Sequence, residues 1–560
     1  MRTVFTKLTL IVFAFAIAGL SAQTSFAGPA QIVIVNVNAP NVGFNDPTPA
    51  EPVGGNPGTT LGQQRLFAFQ RAAEIWAARL DSNVPIRIRA QFVALGPGVL
   101  GSAGPVSVVR NFAGAPLPNT WYHVALANKL AGVDLNPAND DINANFSTNF
   151  NFYLGLDNNH GTRPDLVTVL LHEFAHGLGF SQLANLNSGA LFNGAPDHYN
   201  SKLFDLTLGL FWPQMTNAQR AASATRFGRV VWDGSFVTAG VPSVLQLGSA
   251  EVRVTNPAPI SGVFQFGTAA FGPAVGNPNV SSDVVAAVDA VEVDGTNTDG
   301  CSPFSNAGAV SGKIALIERG LCGFAQKARN AVDAGAVGVI IYNNAANANG
   351  APPGMADDGI NGPFVTIPTV SVRRVDGLSI LAQLGGPVTA NIGVNPTVRA
   401  GADQAGRARV FSPFPIAGGS SISHFDSAAR RNLLMEPAIS GDLTHKVKAP
   451  DDLTFELLRD VGWTFPDADA DGVVDDEDCN PNSDTNATIV IGGIDTGVAN
   501  HLFSNGCTMS DLLSALKAAN TANHGAYVSA VSHLINQWKS DGLISGANKG
   551  AIQSAAAKNK

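Results

Sequence analysis

The chain has 560 residues, a net charge of −9, 14% charged side chains and 59 glycines. This balance excludes the basic footprint that nucleic-acid binding requires. The length is enough for several domains, and 45% hydrophobic content is enough for real cores.

Residues 1–27 carry Arg2 and Lys7, an apolar run from Leu8 to Leu20, and Ser25-Phe26-Ala27 as a cleavage site. This reads as a secretory signal peptide, since the run is shorter than the roughly 20 residues of a spanning helix. No later apolar run is longer, so a secreted chain without a stable membrane anchor is expected, acting as a monomer. In an oxidising compartment the four cysteines pair. Chain order favours Cys301–Cys322 and Cys479–Cys507, although three connectivities are formally open.

Gln31–Val37 reads as a strand, Leu61–Leu80 as an amphipathic helix, and Val84–Leu95 as a second strand with Ile86, Ile88 and Phe92 in period-two register. Asp141–Leu156 alternates again, and Asp141–Phe150 is expected as the edge strand of a sheet. A helix should begin near Arg163-Pro164-Asp165, with Pro164 in its first turn, and end at Gly177-Leu178-Gly179.

That helix carries His172-Glu173-Phe174-Ala175-His176, an H-E-x-x-H pattern. Residues i and i+4 share a helical face, so both imidazoles can reach one Zn²⁺ while Glu173 serves as general base and acid. Hydrolysis needs a third protein ligand. The nearby position 182 is Gln, a poor zinc ligand, which leaves His198, Asp205 and His424 as candidates. His424 is followed eleven positions later by Met435 in Leu-Leu-Met-Glu-Pro. A Met in a turn beneath the metal accompanies one class of zinc peptidase.

From residue 205 to 399 Val, Ala and Gly dominate and His is absent. Gly312–Gly320, Phe324–Ala334 and Val337–Asn344 read as a buried βαβ unit. The segments K-I-A-L-I-E-R-G-x-C-x-F and G-A-x-G-V-I-I-Y-N-N resemble the protease-associated (PA) domain over about residues 255–393. The resemblance implies a non-catalytic module inserted in a peptidase.

The HExxH segment, the long insertion and Ser423-His424-Phe425 with Met435 together resemble the leishmanolysin branch of the metzincins. That resemblance implies His172, His176 and His424 as zinc ligands, Glu173 as the catalytic residue and Met435 as the Met-turn. The expected fold class is α+β. A metzincin-like catalytic domain spans residues 28–204 and 400–466, interrupted by the insertion at 205–399. Protein or peptide substrates and one catalytic Zn²⁺ follow, for a zinc metalloendopeptidase. Two alternatives are an inactive secreted binding or adhesion protein that keeps the fold, and a peptidase with Asp205 as an acidic third ligand.

Residues 467–479 are acidic, and a calcium-binding repeat is expected over 467–484. Asp467, Asp469, Asp471, Asp475 and Asp478 stand at positions 1, 3, 5, 9 and 12 of a calcium loop, with Gly472 at 6 and the Val473 carbonyl at 7. The pattern resembles a thrombospondin type 3 repeat, which implies structural Ca²⁺. Residues 485–560 are expected to form a small helical region.

Overall fold

The computed structural model describes residues 29–559 apart from 292, 345–349, 476 and 521. The expected signal peptide lies outside these residues. The chain divides into two compact units, Pro29–Phe465 and a second containing Pro466–Lys560.

In the first unit, β1 (Ile32–Asn36), β2 (Ile86–Val93), β3 (Gly101–Pro105) and β4 (Ile142–Ser147) form a four-stranded sheet in the order β1-β2-β4-β3. The first three in that order are parallel, and β3 is antiparallel to β4. The expected edge strand is therefore interior: β4 is hydrogen-bonded on both sides, and β3 forms the edge. The physical reason is visible in β3 itself. Its sequence Gly-Ser-Ala-Gly-Pro has none of the β-branched or aromatic residues that mark strands.

Helices α1 (Leu61–Ala77) and α2 (Leu166–Leu178) pack on this sheet. All 13 residues of α2 are buried, as expected for a helix that is apolar on nearly every side. Asp165 caps it, its carboxylate accepting a hydrogen bond from the Thr168 N–H at 2.8 Å, an arrangement worth about 1 kcal/mol. Pro164 therefore precedes the cap rather than entering the first turn. At the other end Gly179 has φ +134°, a conformation that L side chains rarely adopt, and the helix stops there. Two indoles tie down the helix carbonyls: Trp76 Nε1 donates to Leu171 O at 3.1 Å and Trp463 Nε1 to Leu178 O at 2.8 Å.

An eight-stranded mixed sheet follows; the chain enters it through β5 (Leu247–Asn256) and leaves it through β6 (Thr389–Arg399), which pair antiparallel. Inside it, strands Ile314–Glu318 and Gly338–Tyr342 are parallel and flank the helix Phe324–Asp333. Separate apolar clusters cover its two faces. The disulfide Cys301–Cys322 closes a loop beside that helix, with 5.6 Å between Cα atoms. Residues 206–246, expected within the insertion, lie outside this sheet. Their Trp212, Val230, Trp232 and Val241 pack in the same core as α2. Packing thus starts the inserted module at β5, although the change in composition comes earlier.

After the insertion, the chain returns to that core with Phe425, Leu434 and Met435 and with helix α3 (Thr454–Val461). In the second unit, three helices (Met509–Ala519, His524–Ser540 and Gly546–Lys558) pack on a hairpin of Thr488–Ile491 and Ile494–Ala499. The hairpin was not expected. The disulfide Cys479–Cys507 lies in this unit. No helix among the described residues is long and apolar enough to cross a membrane.

Candidate metal centre

The fold brings His172, His176 and His424 together. One ring nitrogen from each lies within 4.8 Å of the others, and all three residues are buried. Ring centroids are 4.8–5.1 Å apart. In each ring Nδ1 meets a main-chain carbonyl: His172 with Leu434 O at 2.7 Å, His176 with Phe180 O at 2.8 Å, and His424 with Ser420 O at 2.8 Å. A carbonyl can only accept, so Nδ1 carries the proton and Nε2 presents a lone pair. The Nε2 atoms of His172 and His424 are 3.2 Å apart. Two lone pairs at that distance repel unless a cation lies between them. Two nitrogens bound to one tetrahedral Zn²⁺ at about 2.05 Å would themselves be about 3.3 Å apart. The donor set therefore fits zinc.

Burial keeps these imidazoles neutral. It pushes His172 down to about 3 and His176 down to about 4, and His424 well below the ordinary range. Burial pushes the Glu173 carboxyl up to about 8, against the opposing pull of a hydrogen bond from the Ala103 backbone. Glu173 thus faces the edge strand β3. A Cβ at Gly101 would stand 2.9 Å from Glu173 Cγ, which explains the glycine there.

The segment carrying His424 is anchored on both sides. Phe411 N–H donates to His424 O at 2.9 Å, and Phe425 N–H donates to Met435 O at 2.8 Å. Met435 is fully buried next to Leu434, whose carbonyl orients His172. Leu434 N–H in turn donates to Asp452 Oδ2 at 2.7 Å. Sequence reading missed Asp452, and also Ala103 and Leu100 on the cleft edge. None carries a local pattern that would mark it.

The rival third ligands are engaged elsewhere. Asp205 is buried and paired with Arg226 at 2.7 Å, and it also accepts from the Thr207 and Leu208 backbone. His198 turns Nε2 to Gly179 O at 2.9 Å and Nδ1 to Trp121 O at 3.3 Å. Gln182 N–H meets Ser423 Oγ at 3.3 Å, so the residue at the local third-ligand position lies beside His424. A cavity of about 220 Å³ opens near the cleft between Leu100, the Arg163–Thr168 entry to α2 and Ile439–Gly441.

In the second unit Asp467, Asp469 and Asp471 each place a carboxylate oxygen within 4.8 Å of the other two. Asp471 Oδ2 and Asp478 Oδ2 are buried without a hydrogen-bond partner. Burial raises the pKa of Asp471, and the charges of Asp469, Asp478 and Asp467 raise it further. Asp475 is spent within the loop, accepting from Ala468 N–H at 2.8 Å.

Residues 280–380 match the family model of the PA domain. Curated relatives match over short stretches. ER degradation-enhancing alpha-mannosidase-like protein 3 of Xenopus laevis is 44% identical over 85 residues, 15% of this chain and 9% of that protein. Leucine aminopeptidase 2 of Arthroderma otae is 33% identical over 96 residues, 17% of this chain and 18% of that one. The chain thus spans less than a fifth of the length of these relatives. Among solved structures, a zinc aminopeptidase from Bacillus subtilis is similar at 21% identity over 28% of this chain and 36% of that one, with a TM-score of 0.20. Matches this short, to proteins with such different names, bear on a shared module and leave the histidine cluster to be judged by its own geometry.

Proposed function

We propose that this chain is an exported zinc metalloendopeptidase of the metzincin type, with His172, His176 and His424 as ligands and Glu173 as general base and acid. The observation that carries the reading is the three carbonyl-anchored imidazoles whose Nε2 lone pairs converge beside a buried carboxyl. Zn²⁺ bound there supplies a Lewis acid that polarises the peptide carbonyl and acidifies a water. Glu173 accepts a proton from that water at its carboxylate and delivers it to the departing amine nitrogen. Strand β3 offers an unpaired edge to which an extended substrate backbone can add. Strand addition grips the backbone on both sides of the cleaved bond, hence internal rather than terminal cleavage. Met435 supports the His172 side of the site as the Met-turn residue.

Replacing Glu173 with Gln should lower cleavage of casein by about 10²- to 10⁴-fold while zinc stays stoichiometric. An N-terminally blocked fluorogenic peptide should be cut by the wild type. Cutting only of peptides with a free N-terminus would favour an aminopeptidase. No cleavage at all would favour a binding protein that keeps the fold.

In the second unit we propose a structural Ca²⁺ held by Asp467, Asp469, Asp471, Val473 O and Asp478, with Asp475 reorienting to join them. The unpartnered buried oxygens of Asp471 and Asp478 support this. Calcium should raise the unfolding temperature of the full chain, and Asp471→Ala should remove that increment in calorimetry.

A further inference from the structure

A cavity of about 390 Å³ lies where the inserted sheet joins the body, and it is lined by Arg229, Arg253, Arg407, Arg409, Glu251 and Asp403 among others. Glu251 and Arg253 stand on β5, the strand that enters the insertion, while Arg407 and Arg409 follow β6, the strand that leaves it. Arg229 comes from the body, just before the strand Val230–Trp232, whose Val231 bridges to Arg409.

Two of the four guanidiniums are matched. Arg253 donates to both oxygens of Glu251 at 2.8 and 3.0 Å, and Arg407 binds Asp403 at 2.9 Å and lies over the Phe204 ring. The other two are not. Arg229 has only the neutral acceptors Thr207 Oγ1 at 3.3 Å and Leu206 O at 3.2 Å. Arg409 leaves Nε buried without a hydrogen-bond partner, with its head beside Gly228. Among the described residues neither forms an ion pair with a carboxylate within 4 Å. Four guanidiniums and two carboxylates line the cavity, and although Asp205 and Asp426 act on them from nearby, Arg229 and Arg409 have no carboxylate in direct contact. Partial burial lowers the pKa of Arg229; the charge of Asp205, and more weakly that of Asp403, opposes this, while the charges of Arg409 and Arg253 add to it. A cluster of this kind is stabilised by an anion, and the planar fork of Arg suits a carboxylate best.

We propose that this cavity binds a carboxylate ligand between Arg229 and Arg409, joining the inserted module to the body. The carboxylate can belong to a free dicarboxylate or to an acidic side chain of a polypeptide. The second source rests on the peptidase reading, whereas binding itself does not.

Isothermal titration of the full-length, zinc-loaded protein with succinate at constant ionic strength tests the first source. A capped hexaglutamate peptide titrated into the full-length Glu173→Gln variant, against its hexaglutamine counterpart, tests the second. Saturable binding of either carboxylate probe, weakened about tenfold or more by Arg229→Gln or Arg409→Gln, is the expected result. Arg229→Lys, which keeps the charge but loses the fork, should fall between wild type and Arg229→Gln. Lys446→Gln, an exposed cation elsewhere, should bind like wild type. Absence of binding by both probes, or binding unchanged in both arginine variants, overturns the site. The heat of binding reports this whether or not the chain cleaves peptides.

Discussion

Two groups of buried histidines share the first unit, and they differ in what their free nitrogens do. His172, His176 and His424 each use Nδ1 on a carbonyl and leave Nε2 facing the other two rings. His198 meets carbonyls with both nitrogens and stacks on Tyr122 with ring centroids 5.7 Å apart. Its neighbour His123 packs against it at 4.8 Å. Burial is alike in the two groups, and the pKa of every one of these rings is lowered. What separates a ligand from a structural histidine is therefore a free lone pair aimed at a shared centre. Burial alone does not distinguish them.

The sharpest way to break this contrast is to exchange its members. His424→Ala should lose stoichiometric zinc and essentially all peptide hydrolysis, measured by metal analysis and casein cleavage. His198→Ala should keep its zinc and instead lose about 2–4 kcal/mol of stability, from the cavity and the lost hydrogen bonds. Retained zinc and activity in His424→Ala would overturn the ligand assignment.

A smaller effect is expected one layer further out. Asp452 holds the Leu434 amide, and the Leu434 carbonyl orients His172. Asp452→Ala should weaken zinc binding by about 10- to 100-fold, read by competition with a chelator. Unchanged affinity would mean that the turn keeps its shape without this carboxylate.

The smallest effect is on pH dependence. Burial pushes His198 down to about 4 from its ordinary 6.5, against the opposing pull of the Gly179 and Trp121 carbonyls. Between these values the unfolded chain binds the extra proton, so stability falls as the pH drops from 6.5 towards 4. His198→Gln removes one proton from that slope, up to about 1.4 kcal/mol per pH unit. Urea unfolding at pH 4.5, 5.5 and 6.5 should show a shallower decline in the variant, while an identical decline would mean that His198 is charged in the folded state.

Much of the fold could be read along the chain wherever the pattern was local. The start of α1 at Leu61, the period-two register of Ile86, Ile88 and Phe92, and the βαβ unit around Phe324–Asp333 each follow from a few consecutive residues. Features that depend on packing were misplaced. Strand β3 was missed because it lacks β-branched and aromatic residues, and because Gly101 answers to Glu173, a contact that no local pattern records. Residues 206–246 resembled the insertion in composition, yet Trp212 and Trp232 are fully buried in the core of the body.

The sequence by itself determined that two imidazoles and a carboxyl share one helix, because a spacing of four residues places His172 and His176 on the same face. It also determined a βαβ unit, because its buried strands are continuous apolar runs, and the segments around Cys322 and Tyr342 carried the resemblance to the PA domain that the family model matches over residues 280–380. The position of His424 was decided only by the tertiary structure. That residue lies 248 positions beyond His176, and no helical or strand period reaches so far. It arrives because the insertion leaves and returns through the paired strands β5 and β6, and because Phe411 and Met435 then clamp the returning chain by backbone hydrogen bonds.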